Sequence, residues 1–106
     1  MGFFGLFGGS DIDRGVKECK STPGAVLVDV READEYAEGR IPGSRHVPLS
    51  DLSGISAVAA DKDCPLFVYC YSGARSAEAV AELKRMGYRN VKSIGGINRY
   101  RGAVER

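Results

Sequence analysis

Two stretches of the chain are almost continuously apolar: Ala25 to Val30, broken only by Asp29, and Leu66 to Tyr69, which reads Leu-Phe-Val-Tyr. Runs this short, rich in β-branched and aromatic residues, suit strands covered on both faces in a parallel sheet. Around them the apolar positions change period. After Leu66 to Tyr69 comes a loop of small residues, then Ala79, Val80, Leu83 and Met86 at helical spacing, with Ser76 as the expected N-cap and Gly87 as the stop. Ser10 to Lys20 predicts a brief edge strand around Ile12 and then a helix capped by Asp13, with Ile12, Val16 and Cys19 on one face; Ser21-Thr-Pro-Gly24 is the connection. Glu32 to Glu38 predicts a short acidic helix closed by Gly39, with Tyr36 packing inward. Arg45 to Pro48 reads as a short strand, and Ser50 as the cap of a segment striped by Leu52, Ile55 and Val58. Val91 to Ile94 is a further strand and Ile97 to Val104 a final short helix. Strands alternating with helices imply an α/β domain, a parallel sheet with helices on both faces.

The unit from Pro65 to Met86 concentrates the chemistry. It places Cys70 at the carboxyl end of a buried strand, facing the start of a helix, which is where ligands bind in open α/β sheets. A helix start presents unpaired N–H groups and a partial positive charge, so an anion is stabilised there by roughly 0.3 to 2 kcal/mol. The curled loop from Tyr71 to Arg75 adds inward N–H groups, and Gly73 permits a tight turn. A thiolate is such an anion, so the Cys70 pKa is expected below the free value of about 8.5. Arg75 closes the loop with a permanent cation suited to sulfonate, sulfate or phosphate oxygens. An isolated cysteine at a strand end is usually a small buried hydrophobe. Strand, Cys, Gly, Arg and helix in register are what point to a nucleophile.

The loop Cys70-Tyr-Ser-Gly-Ala-Arg-Ser76 resembles the active-site loop of single-domain rhodaneses, sulfurtransferases that carry sulfur as a cysteine persulfide. Three further stretches agree. Val26-Leu-Val-Asp-Val-Arg31 with Glu35-Tyr36 resembles the family's first core strand and acidic helix. Gly39-Arg-Ile-Pro-Gly43 with Val47-Pro-Leu49 is similar to its Gly-His-Ile-Pro-Gly and Asn-Ile-Pro-Leu pattern, and Gly95-Gly-Ile-Asn-Arg-Tyr100 to its closing Gly-Gly and aromatic segment. Arg40, His46 and Tyr100 depart from the usual residues, outside the loop. The resemblance spans residues 11 to 104. It implies a three-layer α/β/α fold on a five-stranded, mainly parallel sheet; length and composition give an apolar arm (residues 1–9) ahead of one domain (10–106).

In function it implies transfer of sulfur from thiosulfate or a low-molecular-weight persulfide, through Cys70, to cyanide, a thiol or a protein acceptor, without a cofactor or metal. Tyr71, Ser72, Gly73, Ala74, Arg75 and Ser76 would bind the substrate, with Arg31 as a second anion contact and Asp29 anchoring backbone donors nearby. Related phosphatases and arsenate reductases place one more residue between Cys and Arg; the shorter ring here is sized, by that resemblance, for sulfur rather than phosphate. The alternative is a rhodanese-like binding or sulfur-relay module without turnover, whose expected mark is loss of the cysteine.

Charge and cysteine content narrow the setting. The net charge of +1 gives no general attraction to nucleic acid. It is unevenly spread: from Lys84 onward seven Lys or Arg face one Glu, 7 − 1 = +6, against 8 − 13 = −5 before it. Solvated faces explain this best, with a basic rim that steers anionic donors or docks an acidic partner as the functional alternative. Three cysteines with no zinc-like spacing suggest a reducing compartment, the cytoplasm. Cys64 and Cys70 bracket a strand and lie about 20 Å apart, too far for a disulfide, and Cys19 is expected to pack. The opening Met-Gly-Phe-Phe-Gly-Leu-Phe-Gly-Gly is too short to span a bilayer, with weak self-association through its Phe residues as one use for it. His46, the sole histidine, is expected in a structural or rim role, because a resting thiolate needs no general base.

Overall fold

The computed structural model describes residues 11–106, so the arm and its suggested self-association lie outside the described residues. Its centre is a parallel sheet of β1 (Val26–Asp29), β2 (Arg45–His46), β3 (Leu66–Cys70) and β4 (Val91–Gly96), in the order β2-β1-β3-β4. The helices are α1 (Asp11–Ser21), α2 (Ala33–Glu38), α3 (Ile55–Val58) and α4 (Ala74–Arg85), with 3-10 turns at Leu49–Gly54 and Ile97–Arg99.

β3 lies between β1 and β4 and all five of its residues are buried. Their side chains alternate between two cores. Leu66, Val68 and Cys70 join Val28, Leu52, Ile55, Ala79 and Leu83 on the side of α3 and α4. Phe67 and Tyr69 join Ile12, Val16, Cys19, Leu27 and Ile94 on the side of α1. Each fully buried side chain of Val or Leu size contributes about 1.5–3 kcal/mol, so a one-residue slip of β3 would exchange both sets and is strongly disfavoured. This parity sends the Cys70 side chain toward α4.

Four strands are observed among the described residues where five were expected. Ile12 belongs to α1, because its apolar partners Val16 and Cys19 follow at helical spacing and all three are buried. Asp13 is inside the first turn, where its carboxylate accepts hydrogen bonds from the Arg101 backbone N–H at 2.9 Å and from Arg101 Nε at 3.0 Å. The expected helix from Ile97 to Val104 is only one 3-10 turn, and the chain beyond it forms an antiparallel bridge between Arg40 and Glu105. β4 runs on through Gly95-Gly96, beyond the expected end at Ile94: the register against β3 shifts between Val68 and Tyr69, so Gly96 pairs with Cys70.

The sequence asymmetry of charge is largely cancelled in space. Arg89 pairs with Asp63, Lys92 with Glu18 and Arg101 with Asp13, each joining the basic C-terminal part to the acidic remainder.

α1 crosses β4 at very short range. A β-carbon on Gly15 would overlap Cβ and Cγ2 of the buried Ile94. Replacing an interior helical Gly by Ala ordinarily gains about 1 kcal/mol, but here overpacking dominates. Gly15→Ala is expected to destabilise the domain by about 1–3 kcal/mol in urea denaturation, and an unchanged or raised midpoint would show that α1 does not approach β4 this closely.

Candidate active site

The sulfur of Cys70 is the acceptor for the first turn of α4. β3 ends at Cys70, the chain curls through Tyr71 and Ser72, and Gly73 at φ 108° occupies the N-cap position of α4. An L side chain is strained at that angle, whereas glycine is not. The helix therefore starts three residues before Ser76, the expected cap. The Gly73 N–H donates to Cys70 Sγ at 3.0 Å and the Ser76 N–H at 3.3 Å. The Ser76 hydroxyl donates to Gly73 O at 3.0 Å and lies 3.6 Å from the sulfur. Burial pushes the Cys70 thiol up, but the Ser76 hydroxyl and the N–H groups of Ser76, Gly73 and Ser72 outweigh it and hold the pKa below the ordinary thiol value.

The other walls of the loop are close backbone contacts. Tyr71 O accepts a hydrogen bond from the Asn98 N–H at 3.1 Å. A β-carbon on Gly96 would overlap that same carbonyl and Ser72 Cα, which gives the Gly95-Gly96 pair its use. The Tyr71 side chain is 52% exposed at the mouth. Ser72 and Ala74 are also exposed.

Arg75 does not point into open solvent. It forms a bidentate pair with Glu35 of α2, Nη1 to Oε1 at 2.7 Å and Nη2 to Oε2 at 3.0 Å. Glu35 is the partner that reading the residues alone missed; its only signal was a place in an acidic helix. It also accepts the Glu32 N–H at 3.0 Å, so the same carboxylate caps α2 and orients Arg75.

Asp29 and Arg31 form the support behind α2. Asp29 is fully buried and accepts hydrogen bonds from the Arg31 backbone N–H at 2.8 Å, Nε at 3.1 Å and Nη2 at 2.7 Å. Arg31 Nη2 also donates to Gly39 O at 2.7 Å. Arg31 is 5% exposed, and its Nε and Nη2 are taken by Asp29 and Gly39 O rather than turned to the mouth of the loop. His46 Nε2 donates to Arg31 O at 2.8 Å and its ring stacks on Tyr36, a structural placement. Cys19 is buried, Cys64 partly buried, and burial pushes both thiols up. Among the described residues no three His, Cys, Asp or Glu side chains gather as metal ligands, and no helix is long and apolar enough to cross a membrane.

The Arg75 guanidinium holds the Glu35 carboxyl at about 2, well below its ordinary 4.5. The folded-state pKa is depressed, so the stabilisation is complete above the unfolded value and is lost as pH falls toward the folded one. The stability difference between wild type and Glu35→Gln is therefore expected to be largest above about pH 5 and to narrow steadily toward about pH 3. A pH-independent difference in urea denaturation would mean that the pair is not formed in solution.

Comparison with known proteins agrees with this geometry. The model of the Rhodanese-like domain family matches residues 14–103. The chain is 45% identical over 73 residues to a thiosulfate sulfurtransferase GlpE from Stutzerimonas stutzeri (strain A1501), a match covering 69% of this chain and 66% of that protein. It is 31% identical over 91 residues to a tRNA sulfurtransferase from Desulfurococcus amylolyticus, covering 85% of this chain and 18% of that protein. A solved structure, a rhodanese with anions from E. coli, superposes with a TM-score of 0.72 at 28% identity, covering 77% of this chain and 98% of that one. With these matches and the buried cysteine at the head of α4, the chain belongs to the rhodanese-like domain family.

Proposed function

We propose that the protein is a sulfurtransferase that carries sulfane sulfur on Cys70. The observation that supports this most directly is the pair of N–H donors from Gly73 and Ser76 on Cys70 Sγ, which favours a thiolate at neutral pH. In the first step the thiolate attacks the outer sulfur of thiosulfate. A bond forms between Sγ and that sulfur, the bond between the two thiosulfate sulfurs breaks, and its electron pair leaves with sulfite. In the second step a cyanide, thiolate or protein acceptor attacks the terminal sulfur, and Cys70 departs as the thiolate it was before. A low-molecular-weight persulfide serves the same first step, with a thiolate as leaving group.

The positions of the surrounding residues support the following roles. The N–H groups of the loop from Tyr71 to Ser76 hold the donor's anionic oxygens and later the terminal sulfur. Tyr71, Ser72 and Ala74 line the entrance, where exposed side chains meet the acceptor. Arg75 adds positive charge coupled to Cys70 while Glu35 fixes its plane. Asp29 and Arg31 hold the segment that carries α2. The anions described with the E. coli rhodanese and the name of the Stutzerimonas relative favour an anionic donor. Free, partly or fully buried thiols suit a reducing compartment such as the cytoplasm.

Intact mass spectrometry tests the carrier step. Brief exposure to thiosulfate or glutathione persulfide is expected to add one sulfur, about 32 Da, to the reduced protein but not to Cys70→Ser. Failure of both donors to load the wild type would overturn the proposal in favour of a binding or relay module without turnover.

A further inference from the structure

We propose that Ser93 is a positioning residue for the Cys70 nucleophile: its hydroxyl, 2.7 Å from Ser76 Oγ, supplies the hydrogen bond that Ser76 Oγ lacks once Ser76 turns its proton to the thiolate. Ser76 is fully buried on α4, whereas Ser93 is exposed on β4, on the face of the sheet that α4 covers. The inference rests on Cys70 being the nucleophile proposed above and adds a residue that neither the loop motif nor the comparisons single out.

A serine hydroxyl donates once and accepts twice. Within reach of Ser76 Oγ are Gly73 O at 3.0 Å, Gly95 O at 3.5 Å, Ser93 Oγ at 2.7 Å and Cys70 Sγ at 3.6 Å. When Cys70 is a thiol, its S–H donates to Ser76 Oγ and Ser76 gives its own proton to Gly73 O or Ser93. When Cys70 is a thiolate, that incoming donor is gone and the Ser76 proton turns to the charged sulfur. The two carbonyls only accept. Ser93 is then the group in this set that can donate to Ser76 Oγ, and its exposed oxygen takes hydrogen bonds from water in exchange. The thiol's proton leaves to solvent; the hydroxyl protons only turn. Without the Ser93 hydroxyl the thiol state keeps its hydrogen bonds, while the thiolate state leaves a buried oxygen without a donor. The loss falls on one protonation state alone.

The charged group coupled to Cys70 is Arg75 on α4, itself paired with Glu35 on α2. β4 presents the uncharged Ser93, Gly95 and Gly96 to this region, its Lys92 being paired with Glu18 on α1. The loop contributes the exposed Tyr71. None of these changes when Ser93 is replaced.

The test is the pH profile of iodoacetamide alkylation at residue 70, read by peptide mass. Ser93→Thr and Ser93→Val are nearly isosteric and both suit a strand, but only Thr keeps the hydroxyl. Ser93→Thr is expected to match the wild type, and Ser93→Val to raise the midpoint by about half a pH unit, slowing alkylation at pH values well below the midpoint by about threefold. In a Ser76→Ala background the two variants are expected to coincide. Coincidence of Thr and Val with Ser76 present, at a wild-type midpoint below the ordinary thiol range, would overturn the role of Ser93 alone. A wild-type midpoint in the ordinary range would overturn the reactive thiolate and this inference with it.

Discussion

Everything at this site depends on how the first turn of α4 satisfies its backbone donors. The first N–H groups of a helix have no partner within it, and a helix start is commonly capped by a Ser, Thr, Asp or Asn side chain. Here the cap position is Gly73, which has no side chain to offer, and the acceptor is Cys70 Sγ. Helix and sulfur complete one another. The helix gains its acceptor, the thiol is drawn toward its anionic form, and any change that moves the start of α4 alters both together.

That arrangement holds only if three elements meet without slack. The parity of β3 turns Cys70 toward α4 rather than α1. The register shift in β4 brings Gly96 opposite Cys70, where the lack of a β-carbon leaves room for Tyr71 O. The third element is the buried Asp29–Arg31 pair. Removing a charge from water is costly, and a buried pair repays that cost only when its remaining hydrogen-bonding groups are also met. Arg31 meets this condition by bonding both Asp29 and Gly39 O, which ties the end of β1 to the end of α2. α2 in turn carries Glu35 to Arg75. The network thus runs from the sheet through α2 to the rim of the loop.

The strand-loop-helix unit is legible in the sequence because each of its parts is local: a run covered on both faces, a glycine where the turn is tight, and apolar positions at helical spacing. Cys70, Arg75 and the fold class emerge from that unit and the resemblance it carries. What is not legible depends on contacts distant in sequence or on competition between neighbouring patterns. Glu35 and Arg75 are forty positions apart, and nothing local marks them as partners. Ile12 reads equally as strand or helix over a few residues, and its burial with Val16 and Cys19 settles the choice. Ser76 looks like a cap, but Gly73 at positive φ starts the helix earlier and turns Ser76 into a donor. Ser93 is a polar residue in a short strand; only the register across β3 brings it beside α4.

In the proposed cycle the opposing effects on Cys70 have a purpose. A sulfur carrier must attack in one step and leave in the next. Lowering a thiol's pKa increases its thiolate fraction and improves it as a leaving group, but it also weakens the sulfur as a nucleophile, so the best attacking thiol has a pKa near the ambient pH. Burial of Cys70 pushes the pKa up, while the hydroxyl of Ser76 and the N–H groups around the sulfur pull it down further than burial raises it. A more exposed cysteine with the same donors would be a better leaving group and a poorer nucleophile; a buried one without them would remain a thiol. The balance is struck by placing a buried strand end against the open end of a helix.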